Sequence, residues 1–283
     1  MALDRVHSSE TQLFYTGVRV PAVQSIDFST NKELTNLTPL GNLSYQDRIL
    51  NSNQTTSFSY STIATTGASA LDPFYTFQEQ EDGFLSTDSY GFNIRDFAGQ
   101  NTITGAYLSS YKLEGSVGSF VVGSSTYVAD SISHTASNSI SFSDMSNDNF
   151  DVFVPRNIEI TASNMGDESA STSTLNIQSF DIDVSLNRQP INHLGSRTPE
   201  FRYPNLPVDG SLSIRFLKNA VTGIDLSSLV LNTGTMSVNL KSDDGLTRMS
   251  YTMKQCSLRS VNESTSLDGN NVINFSYNFC IKK

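Results

Sequence analysis

Val23-Gln24-Ser25-Ile26-Asp27-Phe28 and Ile177-Gln178-Ser179-Phe180-Asp181-Ile182 are two versions of one stretch, 154 residues apart. The same spacing places Leu40-Gly41 on Leu194-Gly195, Arg48 on Arg202, Asn51 on Asn205, Ser57 on Ser211 and Ser59 on Ser213. Nine of the 36 positions from 24 to 59 are identical without a gap. Apolar positions agree as well, at Leu37/Ile191, Phe58/Leu212 and Tyr60/Ile214. A Ser- and Asn-rich chain matches itself by chance more often than most, but a constant ungapped spacing points to duplication. With a small shift, Leu71-Asp72-Pro73-Phe74 meets Ile224-Asp225-Leu226-Ser227, and Tyr107–Val128 loosely resembles Met253–Tyr277. Two copies of one β-rich domain are therefore expected, 1–150 and 151–283.

Both copies alternate with period two. Ile26, Phe28 and Thr30 alternate with Asp27 and Ser29, and Phe180, Ile182, Val184 and Leu186 with Asp181, Asp183 and Ser185. Phe58 and Tyr60, then Leu212, Ile214 and Phe216, repeat the pattern. One apolar and one small polar face is the signature of a sheet laid on a core. Asp-Gly pairs at 82, 209, 244 and 268 read as tight turns. The last suggests a hairpin between Tyr251–Leu258 and Val272–Cys280, and Gly115–Gly118 suggests another turn. Helix signals are limited to Ala70–Glu79 and Asp225–Leu231, both short. Ala162–Thr174 is small and polar, and reads equally as a linker or an ordered surface loop.

The 283 residues carry a net charge of −10. That argues against an outer surface that wraps nucleic acid, while leaving room for a channel through which nucleic acid slides. No apolar run approaches the ~18–20 residues of a membrane helix, and Met1–His7 does not read as a signal peptide. No membrane partner is expected.

The search for chemistry is negative. His7, His134 and His193 are not at metal-ligand spacing from one another or from a cysteine. Asp144, Asp148 and Asp151 lack the Gly and Glu of a calcium loop. There is no nucleophile elbow or phosphate-cradling loop. Cys256 and Cys280 fall on the two arms of the expected last hairpin and read as free thiols. The Asn-x-Ser/Thr matches, as at Asn36, Asn42, Asn53 and Asn262, are what this composition produces by itself. Neither an enzyme nor a cofactor is expected.

Between the paired strands of each copy lies a long polar arm. The first, 41–55, carries Tyr45, Asp47 and Arg48; the second carries Pro199, Pro204 and Pro207, which do not suit a central strand. A strand, an arm with Leu-Gly, a second strand, a short helix and a late hairpin together resemble the phage tail tube domain. The resemblance is clearest in 177–231, above all at His193-Leu-Gly-Ser-Arg-Thr-Pro199. The first copy, 23–77, shares the frame but has Asn42-Leu43-Ser44-Tyr45 at the corresponding place.

The resemblance implies an all-β fold with minor α: two tandem tail-tube-like β-sandwich or barrel domains, each with a short helix and a long arm. It implies stacked rings that conduct DNA to the host, a location in the virion, and partners among other tail proteins. Leu40, Gly41, Arg48, Leu194, Gly195, Arg197 and Arg202 become candidate inter-subunit or inter-ring contacts. Asp27 and Asp181 become candidates for the lumen or an interface. Two domains per chain suggest a ring of three chains with pseudo-sixfold symmetry; the rival is a six-chain ring with one copy outside. Other readings are a neck, baseplate or decoration component, and a carbohydrate-binding or adhesive tandem β-sandwich, against which the lack of Trp counts.

Overall fold

The computed structural model describes residues 11–31, 34–37, 47–50, 55–65, 72–73, 89–96, 99–136, 152–153, 158–163, 176–194, 199–205, 208–217, 234–265 and 271–281. The described chain is nearly all strand. The first half contributes β1 (Gln12–Tyr15), β2 (Val18–Arg19), β3 (Val23–Asn31), β4 (Leu34–Leu37), β5 (Asp47–Leu50), β6 (Thr55–Ile63), β7 (Tyr90–Asp96), β8 (Gly99–Ser116), β9 (Val122–Ala129) and β10 (Ser131–Thr135). The second contributes β11 (Ile158–Ser163), β12 (Asn176–Ser185), β13 (Arg188–Ile191), β14 (Phe201–Pro204), β15 (Val208–Leu217), β16 (Gly234–Lys241), β17 (Thr247–Thr265) and β18 (Asn271–Ile281). The all-β expectation holds. The expected helix at 225–231 lies outside the described residues, as does all of the one at 70–79 except Asp72 and Pro73.

Eight strands pair antiparallel in the order β3-β6-β9-β8-β12-β15-β18-β17. Their apolar face meets two smaller sets, β2-β1-β7 on the first part of β8 and β11-β16 on the first part of β17. The rings of Phe58 on β6 and Phe92 on β7 lie 4.9 Å apart between these layers, and Tyr127 on β9 is also 4.9 Å from Phe92. One hydrophobic cluster runs through both halves, including Leu113, Ile182, Leu212, Val238 and Tyr277. At ~25 cal/mol per Å² of apolar area, this burial is the main favourable term of the fold.

Several strands of the two halves correspond, while β2 and β10 have no counterpart among the described strands of the second. β3 and β6 match β12 and β15 at the spacing of 154, with a bulge before Ser25 and before Ser179. The arms match too: β4–β5 and β13–β14 are two separate two-stranded ribbons. The later strands match at a spacing of 150. β8 has a bulge between Leu108 and Ser110, and β17 between Leu258 and Ser260. Both long strands turn from one layer to the other through a left-handed residue, Gly105 at φ 62 and Gln255 at φ 55.

Asp209-Gly210 is not a turn; it lies inside β15, where Gly210 sits opposite Phe279 and a Cβ would overlap its ring. The last hairpin pairs 257–265 with 271–278, while Tyr251–Cys256 belongs to the other layer with β16. The turn at Asp244-Gly245, with Gly245 at φ 81, and the turn after Ser116 form as expected. Ala162 and Ser163 close β11 rather than open a linker, and 164–174 lies outside the described residues.

Candidate functional site

The two halves join edge to edge. β12, the second strand of the second half, pairs with β8 of the first from Ser179↔Ser116 to Ser185↔Ser110. Backbone hydrogen bonds and an apolar core thus cross the junction together. On its polar face, Lys112 Nζ lies 2.9 Å from Asp181 Oδ2 and 2.6 Å from Glu114 Oε2. Hydrogen bonds to Glu114 and then to Asp181 hold the Lys112 ammonium above its ordinary pKa. Partial burial and the nearby Asp181 push Asp183 up, against the pull of Lys112. On the apolar face, the Phe180 ring covers Gly115, where a side chain would collide with it.

Two further contacts tie the halves. Tyr111 Oη on β8 and Tyr251 Oη on β17 both donate to Asp72 Oδ2, at 2.7 and 3.0 Å. Burial first, and then the Asp72 charge, raises the Tyr111 phenol well above its usual range. The second arm also docks on the first half. Arg188 Nε donates to Leu108 O at 2.6 Å and its guanidinium lies over the Tyr107 ring. Arg202 Nε reaches Asp130 Oδ1 at 3.3 Å. Burial pushes the Asp130 carboxyl up while Arg202 pulls it down.

Arg202, a candidate contact with another subunit, is therefore only 3% exposed and is used within its own chain. Leu194 is fully exposed at the arm tip. Arg48 lies on β5, at the position matching Arg202 on β14. Leu40, Gly41, Gly195 and Arg197 lie outside the described residues. Asp181 falls on the junction and Asp27 on the polar face of β3 opposite Ser59. Cys256 is buried and free, and burial raises its thiol pKa to about 11. Cys280 sits on the neighbouring β18.

No family model matches the chain, and no curated protein matches it. The site must be read from its own geometry. Among the described residues, no three of His, Cys, Asp and Glu are grouped to hold a metal, and no helix is long and apolar enough to cross a membrane. His134 Nδ1 is hydrogen-bonded to Asn101 Oδ1 at 3.0 Å, and His193 pairs with Glu200 on the second arm.

What the site offers is sheet edge. Among the described residues, β3 pairs only with β6, which leaves its other edge open there, and the second part of β17 pairs only with β18. Open edges are templates for adding a strand from another chain. The polar face is lined by Ser, Thr and Asn, with Asp27, Glu114, Asp181, Asp183, Lys112 and Arg215 among them. An open groove of about 310 Å³ on this face is walled by residues of β12, β15, β18 and β17. Sequence reading missed Lys112, Glu114 and Arg188; no local pattern marks a residue that works across two sheet edges.

Proposed function

We propose that the chain is a non-catalytic structural protein that builds a hollow tube from three-chain rings, as in a phage tail. On this reading residues 1–150 and 151–283 are two tube domains, and the assembled protein belongs to a virion. DNA passes along the tube without specific binding. The observation that carries the proposal is the β8–β12 junction: it matches the two edges, of β3 and of β17, that are left unpaired among the described residues at the ends of an eight-stranded sheet.

Three chains of eight inner strands would close into a barrel. At ~4.8 Å between strands and a tilt of about 40°, twenty-four strands give a backbone diameter of roughly 48 Å. That leaves room for a nucleic-acid duplex inside the side chains. The small polar lining supports the proposal too, because few lysines and arginines face the groove to hold phosphate. Closure also hides both edges, which a lone chain exposes to aggregation.

Native mass measurement and electron microscopy of the purified chain test the proposal. Three-chain rings, or hollow tubes with threefold repeats in cross-section, are expected. A stable monomer at high concentration, or a ring of six chains, overturns the three-chain tube.

A further inference from the structure

The β8–β12 junction is a template for a second seam. Since β3 matches β12 at 154 and β17 matches β8 at 150, moving the junction by these spacings brings β3 to the open edge of β17. We infer that β3 of one chain adds antiparallel to β17 of the next, with Asp27 opposite Ser264, Ser29 opposite Asn262 and Asn31 opposite Ser260. This rests on the ring reading and gives that ring its register.

Both edges suit the pairing. Phe28 on β3 is 47% exposed, whereas the matching Ile182 is fully buried. Val261 and Leu258 on β17 are half-buried, whereas the matching Tyr111 and Leu108 are buried. Each edge has apolar surface that its twin covers with the strand across the junction.

Side-chain sizes also compensate. In the observed junction Phe180 lies opposite Gly115; in the inferred seam Ile26 falls opposite Thr265. A large residue over none becomes a medium residue beside a small one. The same exchange is seen inside the two halves, where Gly210 opposite Phe279 matches Thr56 opposite Ala129. Charge changes in step as well. The junction places Lys112 among Asp181, Asp183 and Glu114. The seam has Asn262 in the place of Lys112, and of the three acids only Asp27 remains. No like charges oppose there, so the seam does not depend on a lysine. Glu263 falls opposite Phe28, where the junction has Leu113 opposite Ile182. The seam is therefore the less apolar of the two, and rings should separate into chains before chains unfold.

Disulfide trapping tests the register in the full chain. Ser29→Cys with Asn262→Cys, in a Cys280→Ser background, puts two thiols directly opposite on exposed positions. Asn31→Cys with Ser260→Cys repeats the test if the first pair does not fold. Ser25→Cys with Asn262→Cys is the off-register control, because four residues displace the thiols by about 13 Å, beyond disulfide reach. On mild oxidation the matched pair should give a covalent ladder ending at three chains, at about ten times the control's yield, as disulfide geometry demands. Equal linkage from both pairs, or none from either matched pair, overturns the register. Three-chain rings seen alongside that result would leave the tube reading standing. A ladder continuing past three chains would keep the seam and overturn the closed ring.

Discussion

β3 and β12 hold the same place in their halves and share Gln, Ser and Asp at matching positions, yet their surroundings differ. β12 is flanked by β15 and β8, and Phe180, Ile182 and Val184 are 3%, 0% and 0% exposed. Among the described residues β3 is flanked by β6 alone, and Phe28 remains 47% exposed. The pattern of one strand does not decide its burial; the strand on its far edge does.

The contrast can be broken by mutation. Ile182→Ala removes a buried side chain and leaves a cavity, so it should cost the isolated chain about 3 kcal/mol, measured by urea unfolding. A loss below about 1 kcal/mol would mean that the junction carries little of the core. Gly115→Thr drives a side chain into the Phe180 ring and should cost about 2 kcal/mol. Adding Phe180→Ile imports the Ile26/Thr265 combination and should recover most of that loss; no recovery would undermine the equivalence of junction and seam.

Phe28→Ala should cost the chain less than about 1 kcal/mol, because the side chain is half exposed already. Its larger effect should appear in assembly, as a fall in the ring fraction seen by sedimentation. Gln255→Gly tests the matched bends. Gly105 meets the left-handed backbone without penalty, whereas Gln255 does not, so the change should raise stability by about 0.5 kcal/mol.

The smallest effect concerns pH. Asp183 has a folded pKa above its unfolded one, from burial and Asp181. Its ionised form is therefore disfavoured by folding, and stability falls as pH rises through the carboxylate range. Asp183→Asn should raise the Tm slightly at pH 7 and leave it unchanged below about pH 3, where both forms are neutral. An equal shift at both pH values would point to packing instead of charge.

Much of this was legible in the residues. The alternation at 26–30 and 180–186 told which face of each strand is apolar, and the spacing of 154 announced matching strands and matching arms, though not that each arm folds into a two-stranded ribbon. Asp244-Gly245 marked its turn because Gly at positive φ is a local requirement. Asp209-Gly210 misled, since its glycine answers to Phe279, almost seventy residues away. Arg202 misled in another way: an arginine on a polar arm reads as exposed until Asp130 of the other half lies beside it.

Strand faces, the turn at Asp244-Gly245 and the repeat spacing are thus properties of the sequence by itself, because period and spacing act over short range or repeat along the chain. Which edge meets which was decided only by the tertiary structure. Edge pairing is made by backbone N–H and C=O groups that every residue except proline carries alike, so the β8–β12 junction leaves no pattern of its own in the chain. The same reason left β3 indistinguishable from β12 until one edge was covered and the other open.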